Sequence, residues 1–363
     1  MSPLTDRLHE RIRSDGLITF YEWMKTALYD PEQGYYCRPD RERWGRQGDY
    51  RTSPERSVLF AATFARYFAK LHQDLGSPAS INIVEVGAGA GNFAETVLET
   101  LLLRFPDIFS KTRYFIDEAS PDSRSRARSR LARFDARVEF KPLAALNPLD
   151  HAIVFSNELL DAFPVHRVVM QGGELRELHV GVNERRSFEW IVGQLSTHQL
   201  SKHFERLGIR LGEGRIADVN LEIENWLELV STKLRSGYLI TVDYGAEASV
   251  LYNEGERRDG SLRAFHKHQV SGDVLLRPGH QDITSSVDWT LVKMVGASNG
   301  LRVVAFERQD QFLLAAGLLA EMELRVMETP LDSERLRVRT SAREMILPGS
   351  LAESFQVMVQ KKK

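Results

Sequence analysis

The sequence of 363 residues has a single cysteine, Cys37, so it can form no internal disulfide and offers no second thiolate to a metal. That suits a reducing compartment and a structural role for the residue. Neither sign of charge is in excess: 48 Lys and Arg stand against 50 Asp and Glu, a net charge of -2. Without a long-range positive field, little draws the chain onto nucleic acid or anionic lipid. Long apolar runs are also missing. The longest, 312–320, falls well short of the ~20 residues that cross a bilayer. The N-terminal stretch carries acids and no apolar signal region, so a cytoplasmic protein with no membrane insertion is expected. No internal repeat is present, and nothing in the sequence sets an oligomeric state.

What is there suffices for a substantial core: 42% hydrophobic and 27% charged residues over this length predict more than one compact unit. Leu4, Leu8 and Ile12 have helical spacing before Gly16. Thr19 and Glu22 have capping-box spacing at the head of a helix with Phe20, Met24, Ala27 and Leu28 on its apolar side, ending at Asp30-Pro31. A long aperiodic loop follows, and loops of that length tend to be functional. Ser53 as N-cap and Pro54 at the first position start a helix through Val58, Phe64 and Leu71, which stops near Gly76-Ser77-Pro78.

From Ile81 short apolar runs alternate with helical segments. Strands are expected at 81–86, 114–117, 138–140, 152–155 and 238–242, with helices at 93–103 and 123–134. Such alternation predicts an α/β fold with a parallel sheet, whose ligands sit at the carboxyl ends of the strands. Two more strands are expected at 301–306 and 355–359, and a helix at 287–297. The expected domains are an N-terminal helical cap, 1–78, and a core, 79–363, with an inserted α+β lid at about 164–236 and a loop excursion at about 245–286.

In VEVGAGAGNF the strand of 81–86 turns through Gly87, Gly89 and Gly91 into a helix. Glycines let a ligand approach the backbone, and the free N–H groups of the helix start attract an anion. A dinucleotide fold wants a third glycine where Asn92 stands. Glu85, just before the turn, is placed to receive an ammonium group, an arrangement that S-adenosylmethionine fits better than a nicotinamide dinucleotide. The acids Asp117-Glu118 end the next strand, where a carboxylate accepts ribose hydroxyls of either cofactor. The plain alternative is a strand-turn-helix with glycines for packing. In SNELLDAFPVHR, the apolar run of the fourth strand empties into Asn157, Glu158 and Asp161, which collects polar groups at the reacting end.

The motifs ITFYEWMKTALYDPEQGYY, GDYRTSPE, VEVGAGAGNF, EASP, SNELLDAFPVHR, VDYG, GSLRAFHKHQV, GHQDITSSVDWT and ESFQVMV, in that order, resemble the MidA family of class I S-adenosylmethionine-dependent methyltransferases. The resemblance covers nearly the whole chain. It implies a Rossmann-like, seven-stranded sheet whose last strand is antiparallel, S-adenosyl-L-methionine as cofactor, and a protein partner, since the family includes a complex I assembly factor that methylates a protein arginine. It assigns Glu85, Gly87, Gly89 and Gly91 to the methionine part, Glu118 to the ribose, and Thr52 to closure over the cofactor. Ala88 and Ala90 stand where the family usually has a proline and an arginine, and Arg51 and Arg56 replace residues that are usually apolar.

Methylating a guanidinium, which no ordinary base deprotonates, calls for carboxylates that grip two nitrogens and leave a lone pair on the third. Glu158 and Asp161 are the candidates, with Asn157 beside them and Asp243, His280 and Asp282 as further candidates. His266, His268 and His280 lie in a polar loop and are expected to be solvated, with no metal site. The arginines at 124, 126, 128, 130 and 133 are expected to form a solvated helix face. Another protein residue or a small molecule is the alternative acceptor; a scaffold that keeps the fold but acts by binding a partner is the reading from another class, and a nicotinamide dehydrogenase, disfavoured by Asn92, is the third.

Overall fold

The computed structural model describes residues 2–38, 57–253, 258–267, 269–347 and 354–363. The expectations for Thr52, Ser53, Pro54 and His268 lie outside the described residues. In chain order the first elements are α1 (Pro3–Asp15), β1 (Ile18–Thr19), α2 (Phe20–Tyr29), α3 (Val58–Asp74), β2 (Ile81–Val86), α4 (Asn92–Arg104), α5 (Pro106–Lys111), β3 (Thr112–Asp117), α6 (Pro121–Leu131), β4 (Val138–Phe140) and β5 (Ala152–Asn157). There follow β6 (His166–Gln171), β7 (Glu174–Val182), β8 (Phe188–Gly193), α7 (Gln199–Leu207), β9 (Ile216–Val219), α8 (Glu222–Lys233), β10 (Gly237–Ala246) and α9 (Ala248–Asn253). Then come β11 (Arg263–His266), β12 (Gln269–Ser271), β13 (Asp282–Thr284), β14 (Val287–Asp288), α10 (Trp289–Ser298), β15 (Arg302–Arg308), α11 (Gln309–Ala315), α12 (Leu318–Glu328), α13 (Asp332–Ile346) and β16 (Phe355–Lys362).

The chain divides into two compact units. One comprises Met1–Tyr50, Leu160–Trp226 and Gly245–Val295; the other comprises Arg51–Leu159, Leu227–Tyr244 and Gly296–Lys363. In the second, the sheet unit, seven strands lie in the order β15-β16-β10-β5-β2-β3-β4. β10, β5, β2, β3 and β4 are parallel, whereas β16 is antiparallel to both of its neighbours. This is the class I methyltransferase arrangement that the resemblance implied. Aromatic side chains from α3 and α4 seal one face of the sheet. Phe93 stacks on Phe155 with ring centroids 4.2 Å apart, and Phe64 and Phe68 close on both edgewise. Each fully buried phenylalanine contributes about 1.5–3 kcal/mol.

The sequence pattern did not predict the three helices α11, α12 and α13 between β15 and β16. Over the fifteen residues of α13 the buried positions are Ala342 and Met345, too thin an apolar stripe to register as amphipathic.

In the first unit, the lid unit, β7 pairs with β6, β8 and β1. β1 supplies Ile18 opposite Val180, and the apolar sides of α1 and α2 fill one core with Val180, Ala264 and Ile283. The division therefore does not fall at the expected boundary near 78. Residues before Tyr50 group with the inserted segments because they complete a sheet edge there, and α3 groups with the sheet whose aromatic core it fills.

The capping box of α2 is present: Thr19 Oγ1 accepts from Glu22 N at 3.1 Å, and Glu22 Oε2 accepts from Thr19 N at 3.2 Å. Thr19→Ala should destabilise the protein by about 1 kcal/mol, read as a lowered urea midpoint. An unchanged midpoint would show that the box contributes nothing.

Candidate functional site

β2 leaves the sheet directly into the glycine turn. Gly87, Gly89 and Gly91 have φ of 75°, 55° and 80°, in the left-handed region that side chains other than glycine seldom adopt. Gly87 N donates to Asp117 O at 2.8 Å, which ties the turn to the end of β3. A Cβ on Gly91 would lie 3.1 Å from Ala127 Cβ, so this glycine lets the start of α4 pass close to α6. That is a packing duty like the one a dinucleotide fold gives its third glycine, met one residue before Asn92.

Two carboxylates face this turn, and each is held differently. Glu85 is 4% exposed. Its Oε2 accepts from the Tyr114 hydroxyl at 2.7 Å, while Oε1 takes no hydrogen bond from the described residues. Burial pushes the carboxyl up to about 8; the bond from Tyr114 opposes the shift and the nearby Glu118 adds to it. A buried acid without a cation of its own is the kind of group to which a ligand amine supplies the missing charge. Glu118 Oε2 accepts from Gly89 N and Oε1 from Ser120 N, both at 2.7 Å. A carboxylate has about four lone-pair sites, so it retains the capacity to accept hydroxyls. Asp117 is turned away: its Oδ2 accepts from Leu143 N at 2.8 Å.

Asn157 and Glu158 stand at the end of β5, next to β2. Glu158 has φ of 51°, uncommon for a residue with a side chain, and its N–H donates to Val242 O at 2.9 Å. Asn157 Nδ2 donates to Glu158 Oε1 at 3.0 Å, and Asn157 Oδ1 is buried without a partner among the described residues. Asp243 is fully buried nearby in sequence on β10, its Oδ1 accepting from Tyr244 N at 2.9 Å. The sheet unit thus collects Glu85, Gly87, Gly89, Gly91, Glu118, Asn157 and Glu158 at the carboxyl ends of its parallel strands, as expected for a ligand site.

The other candidates belong to the lid unit. Asp161 is buried, and Ser285 N donates to its carbonyl at 2.9 Å. Asp282 Oδ1 accepts from Tyr36 OH at 2.7 Å, and His280 lies 3.0 Å from Arg38 Nη1. His266 Nδ1 contacts the carbonyl of His280 at 2.9 Å. Among the described residues no group of His, Cys, Asp and Glu could hold a metal ion. The arginines of α6 point outward: Arg126 pairs with Asp122 and Arg130 with Glu95, while Arg124 Nε donates to the Glu118 carbonyl at 3.1 Å. Tyr114, Tyr36 and Arg38 were missed in the sequence. Tyr114 lies on the strand beside Glu85 and points to the same face two positions before its partner, a signal readable once the β2–β3 register is known.

The family model described as an S-adenosyl-L-methionine-dependent methyltransferase matches residues 63–307. The chain belongs to this family. A COG1565 superfamily member from Burkholderia thailandensis, solved with S-adenosyl-homocysteine bound, is similar over 99% of this chain and 92% of its own, with a TM-score of 0.87 and 27% identity. The Drosophila melanogaster protein named protein arginine methyltransferase NDUFAF7 homolog, mitochondrial, is 26% identical over 98% of this chain and 84% of its own length. Its Homo sapiens counterpart is 23% identical over 98% and 82%. The word mitochondrial in those names lends no support to the cytoplasmic location expected here. S-adenosyl-L-methionine is the cofactor of this methyltransferase, and when bound it supplies a methyl group on a sulfonium.

Glu85 also sets a pH dependence of stability. Below its ordinary value of 4.5 the carboxyl is protonated folded and unfolded alike. Between 4.5 and about 8 the unfolded chain releases the proton while the folded chain keeps it, so this residue's contribution to stability is lost as pH rises. Glu85→Gln cannot ionise, and should melt above the parent at pH 8 with the difference vanishing near pH 4. A difference independent of pH would exclude this role.

Proposed function

We propose that this methyltransferase transfers its methyl group to an arginine of a partner protein, with Glu158 as the carboxylate that grips the guanidinium. The observation that carries this reading is the held conformation of Glu158. A left-handed backbone on a residue with a side chain costs about 1–3 kcal/mol and persists where the surroundings enforce it. Here Val242 O anchors the amide and Asn157 Nδ2 fixes one carboxylate oxygen. A carboxylate so fixed binds two guanidinium nitrogens in one geometry and localises the positive charge on them. The third nitrogen is left to attack in line, and holding it about 3–3.5 Å from the methyl carbon is most of the catalytic task. The names of the relatives as protein arginine methyltransferases support the same choice of acceptor.

In this reading Glu85 receives the cofactor's ammonium group, the turn of Gly87, Gly89 and Gly91 takes its methionine part, and Glu118 accepts the ribose hydroxyls. The partner is a subunit of the respiratory complex I type, on the family resemblance.

Lysate from a deletion strain, incubated with the enzyme and labelled cofactor, should yield a labelled protein band in which mass spectrometry finds methylarginine. A label confined to small molecules would overturn the choice of acceptor, and tight cofactor binding with no label anywhere would favour the scaffold. Glu158→Gln should leave cofactor affinity within about twofold and reduce transfer by about 100-fold or more. Equal loss of both would remove Glu158 from the acceptor side.

Because Glu85 must be ionised to receive a cation, binding of S-adenosyl-homocysteine should release a proton, and its affinity should fall by up to about tenfold per pH unit below pH 8. Calorimetry in two buffers of different ionisation enthalpy measures that proton. In Glu85→Gln it should disappear.

A further inference from the structure

The arginines at 124, 126, 128, 130 and 133 are expected from the sequence to form a solvated helix face, and three of them make the contacts of one. Arg126 pairs with Asp122, Arg128 lies over the Phe140 ring and Arg133 pairs with Glu99. The other two reach backbone. Arg124 Nε donates to the carbonyl of Glu118 at 3.1 Å and its Nη2 to that of Ala119 at 3.2 Å, a fork over two successive peptides. Arg130 Nε donates to the carbonyl of Ala90 at 3.0 Å, and its Nη1 to Glu95 Oε2 at 2.9 Å. Ala90 belongs to the glycine turn, and Glu118 and Ala119 to the loop that follows β3. The two guanidinium groups therefore hold two walls of the site that collects Glu85, Gly87, Gly89, Gly91 and Glu118.

Residues 124, 127 and 130 recur at helical spacing on α6, so they lie along one side of it. Ala127, between the two arginines, is fully buried and is the residue that a Cβ on Gly91 would meet at 3.1 Å. α6 thus packs on the glycine turn through a methyl group and braces turn and loop with an arginine on either side. What the brace fixes is peptide orientation. Gly89 N and Ser120 N hold the two carboxylate oxygens of Glu118, and Arg124 holds its carbonyl, so the residue is tied at both ends. The Ala90–Gly91 peptide is also held twice, its N–H donating to Ala88 O at 3.0 Å and its carbonyl accepting from Arg130. A peptide next to glycine turns easily once released, and a carbonyl turned towards a bound carboxylate repels it. Arg124 and Arg130 are themselves exposed, so replacing them leaves the core intact and costs the ligand-free protein little stability.

We propose that Arg124 and Arg130 are positioning residues for the cofactor, Arg124 fixing the wall that takes the ribose and Arg130 the wall that takes the methionine part. The proposal rests on the reading above of which wall takes which part, and a pair of ligands tests the two separately. S-adenosyl-homocysteine has both parts, whereas 5′-methylthioadenosine keeps the ribose and lacks the amino and carboxylate groups. By calorimetry, Arg124→Met should weaken both ligands about three- to tenfold, while Arg130→Met should weaken S-adenosyl-homocysteine by that factor and leave 5′-methylthioadenosine within about twofold. Arg124→Lys and Arg130→Lys, which restore one donor each, should regain part of the loss. Equal weakening of both ligands by Arg130→Met, as a general loosening of the fold would give, or no weakening by either methionine variant would overturn the brace. Glu118→Ala, expected to weaken both ligands, and Glu85→Gln, expected to weaken S-adenosyl-homocysteine alone, test the reading underneath. If these two behave so and the arginine variants do not, the brace alone falls. If Glu118→Ala spares both ligands, the ribose reading falls and the role of Arg124 with it; if Glu85→Gln spares S-adenosyl-homocysteine, the methionine reading falls and the role of Arg130 with it.

Discussion

A strand hydrogen-bonded along both edges has freedom only at its ends, and β2 is such a strand, with parallel partners in β3 and β5. Its register places Val86 opposite Asp117 and opposite Ser156, so three strand ends come level where the chain must leave the sheet. The geometry of the candidate site follows from that alignment. The glycine turn is needed because the chain reverses there under the first turn of α4. Glu85 is buried because it is the last strand residue but one on a sheet covered on both faces. Glu118 reaches Gly89 because β3 ends one residue earlier at the same height.

The same alignment explains why the polar groups can be afforded in such a dry place. Each is held by a backbone amide or a hydroxyl from a neighbouring strand or turn: Tyr114 for Glu85, Leu143 N for Asp117, Gly89 N and Ser120 N for Glu118. The lid unit uses a similar device in Asp218, whose carboxylate takes Arg167 on one oxygen and the amides of Ser261 and Leu262 on the other. Gly260 is glycine for a local reason: at φ of 80°, a Cβ there would come within 2.4 Å of that carboxylate. A buried acid thus sets loop shape in one unit and stands directly before the glycine turn in the other.

Much of this was legible in the sequence because it is local or periodic. The strand at Ile81–Val86, the Thr19–Glu22 box and the acids after the fourth core strand are spelled out by adjacent residues, and the structure has them where the spacing puts them. What escaped depends on pairings between distant segments. Nothing near Ile18 says that it will face Val180, so the N-terminal helices looked like a separate cap. The Tyr114–Glu85 and Tyr36–Asp282 bonds join residues far apart in the chain, and neither residue type is diagnostic alone. The helix α13 between β15 and β16 was invisible for a different reason: its surface is mostly charged and solvated, so hydrophobic period carries little signal.

β16 lies between β15 and β10, and each of its residues from Phe355 to Lys362 borders one or both. During synthesis, therefore, β15 and β10 stand as two open edges until residues 355–362 have left the ribosome. The five parallel strands can assemble on a growing chain, but the slot between their edge and β15 is filled only by a segment made more than a hundred residues after β10. Unpaired strand edges invite pairing with other chains. The nascent protein passes through a stage in which two strand edges wait for the late strand that pairs with both.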